Sequence, residues 1–433
     1  MGRRVCRAWL GALIASAALA PHAAQADEPE RARLACSVCE ALSEHVTGLA
    51  RQGPVFVRSF DPANGGSVLH PTLENTAFTY DNALASIALY ACNRPAEARR
   101  IADAFVVAVE SDRFYHDGRL RNAYRSGPAA QETDAVELPG YWSATQNAWI
   151  EDGYQVGSAT GSVAWGALAL LTAYEETGED VFLDSARKVM DWVDFSTPDR
   201  DGKGFFGGFF GHEPIPRLQT WKSTEHNTDV YAANRWLGRL ESNDEWARSA
   251  QKAEAFVQSM WDESEGRLFV GTVPDSAAPN LSTSGLDALL WPLIAVPSLK
   301  ERAQRVLEWT EKNHGVPGGF DFNTDRDGIW LEGTAQAALV YRIFDQPEKA
   351  DPLFHTMLQQ SAPNGLIYAT VDEELTTGLS VGPDSAPGDF KYYRLPHVGA
   401  TAWAALAALG WNPFEGRKGA APLEPGAECP QKH

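Results

Sequence analysis

Six times along this chain of 433 residues, an alanine-rich apolar segment with helical periodicity begins with a short polar signature. The signatures are residues 79–82, 151–155, 223–229, 283–287, 330–334 and 396–401. Between consecutive signatures lies a more charged segment whose apolar residues recur with a period near 3.6, which is typical of an amphipathic surface helix. This alternation predicts six helical hairpins, each made of one buried helix and one surface helix.

The buried helices carry apolar or small residues on almost every side, which lets neighbouring helices approach closely. Their predicted ranges are 79–91, 158–175, 224–240, 284–296, 332–344 and 397–409. The predicted surface helices are 34–50, 96–111, 181–195, 244–261, 299–313 and 348–360. Short loops lead from buried to surface helices, and long loops rich in glycine and aromatic residues lead back. The sequence therefore predicts an all-α (α/α)6 barrel in a single domain, with its site at the long-loop end.

The N-terminus has the pattern of a secretory signal. Arg3, Arg4 and Arg7 precede an apolar run that is too short to span a bilayer, and residues 24–26 match the small-x-small cleavage signature. We therefore expect a periplasmic or secreted bacterial protein. The chain divides into a signal peptide, a barrel domain and an irregular C-terminal tail, at residues 1–26, 27–415 and 416–433.

The net charge of −20 restricts the class of partner. Nucleic acids and anionic membrane surfaces bind basic proteins, so neither is expected to bind this chain. After the signal we find no apolar run long enough to span a membrane, so no membrane insertion is expected. A neutral glycan or another neutral small molecule fits the charge best, and we expect a monomer.

Four cysteines remain once the signal is removed, which is an even number in an oxidising compartment. If Cys36 and Cys39 begin the first helix, they lie near Cys92 at the end of the next helix, and Cys429 follows the last one. We predict that Cys92 pairs with Cys36 or Cys39 and that Cys429 pairs with the other. Both bridges would lie at the end of the barrel opposite the polar signatures.

This arrangement of six hairpins resembles the six-hairpin glycosidase superfamily, which includes glucoamylase-like hydrolases, cellulase-like endoglucanases and unsaturated glucuronyl hydrolases. Sugar epimerases with an (α/α)6 barrel are built in a similar way. The resemblance covers nearly the whole mature chain as architecture, and no motif assigns one family. It implies that catalytic acids lie on the loops and first turns at the wide end of the inner helices.

Glycoside hydrolysis needs one acid to protonate the leaving oxygen and one base or nucleophile on the opposite face of the sugar. Glu225 and Asp229 form an i,i+4 pair, and close like charges raise the pKa of one partner, as a general acid requires. Glu332 precedes Gly333, where the backbone allows close approach of a ligand. Asp81 begins an otherwise apolar helix. We predict Glu225 with Glu332 or Asp81 as the acid–base pair, the alternative being acids that only cap helices.

Further residues in the signatures and long loops are candidates for substrate binding, because sugar rings stack on aromatic side chains and sugar hydroxyls bind amides and acids. The alternative is that the aromatic residues only cover the core beneath the loops. The candidates are Tyr80, Trp142, Trp149, Tyr154, Trp221, His226, Asn227, Asp229, Asp287, Trp330, Tyr393 and His397.

No cofactor is expected, because the chain has no phosphate-binding loop, dinucleotide-binding turn or metal-ligand spacing of histidines. Asp321, Asn323, Asp325 and Glu332 match four positions of a calcium loop, but Arg326 occupies the position that requires glycine. A structural calcium near the first three residues remains a weaker alternative to a plain polar turn.

The sequence thus favours an exported glycoside hydrolase that acts on a neutral oligosaccharide or polysaccharide by carboxylate acid–base chemistry. One alternative is a sugar epimerase or polysaccharide lyase, in which His226, His397 or Tyr154 moves a proton at carbon. Another is a glycan-binding envelope protein without turnover. Because one fold can carry many functions, the hydrolase hypothesis rests partly on analogy.

Overall fold

The computed structural model describes residues 28–49, 52–62, 67–129, 135–200, 202–386 and 388–416. Within these ranges the chain forms twelve α-helices that alternate between an inner and an outer ring. The inner helices are α2 (Thr79–Ala91), α4 (Thr160–Thr177), α6 (Thr224–Glu241), α8 (Leu286–Ala295), α10 (Leu331–Ile343) and α12 (Val398–Leu409). The outer helices are α1 (Glu28–Thr47), α3 (Pro95–Glu110), α5 (Asp180–Ser196), α7 (Asp244–Ser259), α9 (Ala303–Asn313) and α11 (Pro347–Gln359).

The inner helices form a closed ring. Each of them packs against the next one along the chain, and α12 packs against α2 to complete the circle. In the outer ring, α1 packs against α11 and α12, so the two ends of the described chain meet. The hydrophobic core runs without a break through the whole ring. The predicted (α/α)6 barrel in a single domain is confirmed.

The inner and outer helices differ in the way their sequences predict. In α4 every residue from Val163 to Ala173 is buried, because the helix has neighbours on all sides. In α5 only the stripe that includes Phe182, Ala186 and Val189 is buried, at the spacing of one helix face. Gly178 ends α4 in the left-handed conformation, with a φ of 72° that glycine adopts without strain.

Short antiparallel strands cover the end of the barrel at which the inner helices begin. They form six two-stranded sheets, β1–β4, β2–β3, β5–β6, β10–β11, β12–β13 and β14–β15, and one three-stranded sheet, β7–β8–β9. The strands are β1 (Val55–Phe56), β2 (Thr76–Phe78), β3 (Ala123–Arg125), β4 (Gly127–Pro128), β5 (Tyr141–Ser143), β6 (Ala148–Ile150), β7 (Ser158–Ala159), β8 (Gly208–Phe210), β9 (Arg217–Gln219), β10 (Trp261–Asp262), β11 (Arg267–Leu268), β12 (Gly315–Val316), β13 (Gly319–Phe320), β14 (Glu374–Thr376) and β15 (Lys391–Tyr393). β2 and β7 end directly before α2 and α4 begin, so these two sheets fix where α2 and α4 start.

The starts of two helices, α1 and α9, differ from the prediction by more than two residues. Helix α1 begins at Glu28, so Cys36 and Cys39 lie in its middle and not at its start. Helix α9 begins at Ala303, because the residues before it, Pro297–Arg302, form a 3₁₀-helix whose first residue is the proline. None of the described helices is both long and apolar enough to cross a bilayer.

Cys39 and Cys92 form a disulfide with a Cα–Cα distance of 5.6 Å, which confirms the first predicted pairing. Cys92 caps the C-terminal end of α2, whereas Asp81 lies in the first turn of the same helix. This bridge therefore lies far from the polar signatures, as expected. The predicted signal peptide, Cys429 and all but the first residue of the predicted tail lie outside the described residues.

Candidate active site

Four acids lie in the first turns of four different inner helices: Asp81 on α2, Glu225 on α6, Asp287 on α8 and Glu332 on α10. His397 is the N-cap of α12 and adds a fifth ionisable group. Because the inner helices of the ring all begin at the same end, these side chains converge at the barrel axis. Three of the four are almost completely buried, and only the Glu225 side chain is appreciably exposed, at 25%.

Glu332 is held by a chain of hydrogen bonds. The Tyr80 hydroxyl donates to Glu332 Oε1 at 2.5 Å and accepts from the Trp403 indole N–H at 2.8 Å. Burial raises the pKa of Glu332 to about 7, with further contributions from the charges of Asp81 and Asp287, while His397 and the Tyr80 hydrogen bond oppose the rise. Oε2 of Glu332 is buried and has no hydrogen-bond partner among the described residues.

His397 and Asp81 form a buried pair, with 3.3 Å between Nε2 and Oδ2. The other ring nitrogen, Nδ1, accepts a hydrogen bond from the Ala400 backbone N–H, so the neutral imidazole carries its proton on Nε2 and donates it to Asp81. Nδ1 also lies 3.7 Å from Glu332 Oε2. Burial lowers the pKa of His397, but Asp81 and Glu332 outweigh this effect and the pKa is raised overall.

Gly399 leaves the space in which these groups meet. A Cβ atom at this position would lie 2.6 Å from Asp81 Oδ1, 2.8 Å from His397 Cε1 and 3.0 Å from Glu332 Oε2. Any side chain here would therefore push the acids and the imidazole apart. The glycine in the sixth signature, the one signature without an acid, contributes by the absence of atoms.

Glu225 lies beside Asp287, and the two carboxyl groups share a hydrogen bond. Burial raises the pKa of Glu225 well above its usual range, and the charges of Asp287 and Asp229 raise it further. Burial raises the pKa of Asp287 to about 6, although it accepts a hydrogen bond from the Ala288 N–H and one from Glu225. Glu225 is therefore the protonated partner, and it donates the hydrogen bond that Asp287 accepts.

The sequence matches no family model and no curated protein. It does resemble solved structures. A glycosidase in complex with glucose matches 89% of this chain and 98% of its own chain, at 13% identity and a TM-score of 0.59. The cellobiose 2-epimerase of Bacillus thermoamylovorans matches 86% of this chain and 98% of its own chain, at 11% identity and a TM-score of 0.57. The GH76 α-mannanase of Bacteroides thetaiotaomicron matches 87% of this chain and 96% of its own chain, at 13% identity and a TM-score of 0.54.

The fold is the (α/α)6 barrel that this chain shares with these structures. At this level of identity the likeness establishes the architecture of the chain, and the activity must be argued from the residues. The barrel is shared by proteins whose names specify glycosidases, a mannanase and epimerases, so it does not choose between hydrolysis and epimerisation.

Below the acids, the six-hairpin barrel is closed by an aromatic cluster. Tyr80, Trp165, Trp291 and Trp403 pack against one another, with ring centroids 5.3–6.0 Å apart. The indole N–H groups of Trp165 and Trp291 are buried without a hydrogen-bond partner among the described residues. Unpaired buried polar atoms of this kind cost about 1–3 kcal/mol each unless a ligand or water satisfies them.

Asp229 lies one helical turn below Glu225 and is completely buried. No described residue forms a geometrically sound hydrogen bond with either of its oxygens, although the Trp165 indole N–H is close enough to favour the ionised form. Burial, followed by the charge of Asp287, raises the pKa of Asp229 well above its usual range. Asp229 therefore lies beneath the other acids, and its predicted part in substrate binding stays a prediction.

Three further predicted residues, His226, Trp221 and Tyr154, surround Glu225. The His226 ring lies 5.3 Å from the Trp221 ring, and its Nε2 lies 3.8 Å from Glu225 Oε1. Burial lowers the pKa of His226 to about 4, so the ring is neutral, and its Nδ1 has no hydrogen-bond partner in the described part of the chain. Burial raises the pKa of Tyr154, and the charges of Glu225 and Asp81 add to the rise.

Tyr392 is a site residue that the sequence analysis missed in favour of Tyr393. Burial raises the pKa of Tyr392, and the charges of Glu332, Asp287, Asp81 and Glu225 all contribute. Successive residues of a strand point to opposite faces, so the adjacent Tyr393 cannot share this position on β15. Both tyrosines pack against the small cluster around Phe60, and Tyr392 also packs against the main core. Only the register of β14 and β15 distinguishes these two tyrosines.

Trp330 and Asn227 make structural contacts in the described part of the chain, and the prediction that they bind substrate is not tested by these contacts. Trp330 is 1% exposed and packs between Phe322 and Tyr392, with ring centroids at 4.9 and 5.4 Å. Asn227 is completely buried, and its amide group bonds the backbone of Phe205 and Ser223. Both residues hold loops against the helix starts. Trp142 and Trp149 lie on the exposed β5–β6 hairpin.

The weaker alternative of a structural calcium concerns the loop that contains Asp321, Asn323 and Asp325. Ligand atoms of Asp321, Asp325 and Asp327 lie within 4.8 Å of one another. However, both oxygens of Asp321 accept hydrogen bonds from the loop's own backbone, at 3.1 Å from the Asn323 N–H and 2.9 Å from the Gly328 N–H. Glu332 faces Tyr80 and cannot supply the twelfth position. The acids form a hydrogen-bonded polar turn, and a structural calcium near these residues stays a prediction.

Proposed function

We propose that this protein is a glycoside hydrolase that acts on a neutral glycan, with Glu225 as the general acid. The observation that carries the proposal is that Glu225 is the partly exposed acid of the cluster and also has a strongly raised pKa. A general acid must be reachable by the substrate and still protonated near neutral pH. Burial and the charge of Asp287 keep the proton on Glu225.

Glu332 is our candidate for the base. Tyr80 fixes one carboxylate oxygen, and the second oxygen is free to accept a proton. A pKa of about 7 leaves a substantial ionised fraction at neutral pH. Because Glu332 is 1% exposed, we assign it to the activation of a water molecule and not to direct attack on the sugar.

The reaction then needs no cofactor. Glu332 accepts a proton from water while the water oxygen bonds to the anomeric carbon. The bond from that carbon to the glycosidic oxygen breaks, and Glu225 transfers its proton to the leaving oxygen. The unpaired Oε2 of Glu332, which lies among the acids at the barrel axis, supports a ligand or water that donates a hydrogen bond there.

Two further observations support export and a neutral substrate. The Cys39–Cys92 disulfide is of a kind that persists in oxidising compartments, as the N-terminal secretory pattern also predicts. A net charge of −20 and an acidic site disfavour a polyanionic glycan. We therefore propose a periplasmic or secreted enzyme that acts as a monomer.

The test compares Glu225→Gln and Glu332→Gln with the exposed control Glu348→Gln on neutral α- and β-glucans and mannans. Proton NMR of the products reports both the substrate and the anomeric outcome. We expect each site variant to lose about 10²–10⁴-fold in kcat/KM, while the control keeps full activity. Folded site variants with wild-type activity would overturn the assignment.

The second candidate function is sugar epimerisation. The observation that favours it is the contrast between the two histidines, since the pKa of His226 is lowered to about 4 and that of His397 is raised. A neutral imidazole can remove a proton from carbon, and a charged one can return a proton. Incubation in deuterated water distinguishes the reactions: an epimerase keeps chain length and incorporates deuterium at carbon, whereas a lyase creates an absorbing double bond.

A further inference from the structure

The β5–β6 hairpin carries an exposed pair of tryptophans. Trp142 and Trp149 occupy directly opposed positions of the antiparallel pair, so their side chains lie on the same face of the hairpin. Trp142 is 59% exposed and Trp149 is 42% exposed, and no other tryptophan among the described residues is classed as exposed. Large apolar side chains held in water in this way usually mark a binding surface. We call this pair the rim platform.

The rim platform is rigidly attached to the barrel mouth. Asn75, four residues before α2, bonds the backbone of Gly140 at the base of the hairpin through both its amide oxygen and its amide nitrogen. The Trp149 ring lies across Gly140, where a Cβ atom would come within 2.6 Å of the indole nitrogen. The Arg125 guanidinium lies 5.6 Å from the same ring. The base of the hairpin and the Trp149 ring are therefore held in place without a ligand.

The chain leads from the rim platform directly into the acid cluster. Directly after β6, Glu151 is held by the Arg113 guanidinium through two hydrogen bonds, at 2.6 and 2.7 Å. Three residues later, Tyr154 lies close enough to Glu225 and Asp81 for their charges to add to the rise that burial causes in its pKa. Four residues separate Trp149 from Tyr154, and the five steps between the two Cα atoms span at most about 18 Å. A ligand of several units could contact both surfaces.

The charge of this segment restricts its partner. Residues 138–150 contain no acidic, basic or histidine residue, in a chain whose net charge is −20. Besides the tryptophans, the hairpin presents Ser143, Gln146 and Asn147, which offer hydroxyl and amide groups. Indole faces beside uncharged hydrogen-bonding groups suit a neutral ring with apolar C–H faces and hydroxyls. They do not suit an ionic partner.

We propose that the rim platform is a distal subsite that binds a sugar unit of the same neutral glycan whose reacting bond lies at Glu225. The inference rests on the proposed function and extends it, because it specifies a substrate of several sugar units. Binding at the platform then adds affinity for long substrates and little for short ones.

The test measures binding without turnover. Trp142→Ala and the control Phe195→Ala, an exposed aromatic residue on the outer helix α5, are each made in a Glu225→Gln background. Calorimetry with barley β-glucan, glucomannan and soluble starch, and with the disaccharide and hexasaccharide of each, gives the affinities. We expect Trp142→Ala to weaken polymer and hexasaccharide binding at least about fivefold relative to the control, with a smaller effect on disaccharides.

Each other outcome has a distinct meaning. If a glycan binds but Trp142→Ala matches Phe195→Ala on the long ligands, the distal subsite is wrong while the proposed function stands. If no glycan binds or is cleaved by the unmodified protein, both are wrong. If sedimentation shows a dimer that Trp142→Ala converts to a monomer, the platform is a contact between two copies of this chain and the inference is overturned.

Discussion

Nε2 of His397 lies 3.3 Å from Oδ2 of Asp81, across the seam at which the last inner helix closes against the first. The pair therefore forms only when α12 packs against α2 and closes the ring of inner helices. Phe60 stacks on the imidazole at 4.5 Å and holds its plane, while the Ala400 N–H fixes which nitrogen carries the proton. The separation and orientation of these two residues depend on the complete circle of helices.

Replacement of Asp81 by asparagine should lower the pKa of His397. Burial alone lowers it, and the Asp81 carboxylate provides the largest opposing effect. NMR titration of the imidazole signals would measure the change. His45 is the internal reference. Burial lowers its pKa, and its charged neighbours are Arg58 and Asp61 and not Asp81, so its pKa should stay the same in the variant. An unchanged His397 in the variant would contradict the ion pair.

The same substitution should make stability depend differently on pH. The pKa of His397 is higher in the folded than in the unfolded chain, so the pair stabilises the protein below the unfolded value of about 6.5. That stabilisation is lost as the pH rises through the folded value. Urea unfolding should therefore show a larger loss of stability for Asp81→Asn at pH 5.5 than at pH 9. An equal loss at both values would contradict this explanation.

Replacement of Asp287 by asparagine should shift the alkaline limb of the pH–rate profile to lower pH. The charge of Asp287 helps to raise the pKa of Glu225, so its removal lets Glu225 lose its proton more easily. Because the two groups titrate as a coupled pair, the profile reports a property of the pair. The measurement is kcat/KM against pH, with Glu348→Gln as the control. An alkaline limb that stays in place would exclude Glu225 as the general acid.

Two helical glycines provide a matched pair of alanine substitutions. In α12, a Cβ at Gly399 would clash with the Asp81, His397 and Glu332 side chains, whereas in α6 the nearest atom to a Cβ at Gly238 is 3.7 Å away. We expect Gly238→Ala to be neutral or to stabilise the chain by up to about 1 kcal/mol, because alanine favours the helix. Gly399→Ala should lower both activity, at least about tenfold, and thermal stability. Similar behaviour of the two variants would show that the site tolerates a side chain at position 399.

Glu332→Gln should stabilise the protein at alkaline pH. The pKa of Glu332 is about 7 in the folded chain, against an ordinary value of 4.5. The protonated side chain therefore contributes fully to the stability of the folded chain below pH 4.5, and this contribution is lost as the pH rises to about 7 and above. The ionised, buried carboxylate then costs up to roughly 3 kcal/mol. Urea unfolding at pH 8.5 should show the variant to be more stable by about 1–3 kcal/mol, with little difference at pH 4. A variant that is less stable at both values would refute a strained, ionised Glu332.

The sequence predicted the architecture because hydrophobic periodicity depends on local spacing. The fully apolar segment of α4 and the striped segment of α5 differ in burial as their sequences differ. Boundaries were less certain where local signals conflict, as at Pro297, where a 3₁₀-helix replaces the predicted start of α9. The pairing of Cys39 with Cys92 followed from helix order, but the choice between Cys36 and Cys39 depended on which face of α1 meets α2.

At the site, the sequence identified Asp81, Glu225, Asp287, Glu332 and His397 as candidates because polar residues at the starts of buried helices are unusual. It did not show that Trp330 is covered or that Tyr392 and not Tyr393 faces the acids, because both depend on strand register in the long loops. Chain order determines which helices surround the axis, and apolar spacing determines which faces they bury. Only closure of the ring decides the distances between carboxyl groups from α2, α6, α8 and α10, and those distances with burial determine where each proton is held.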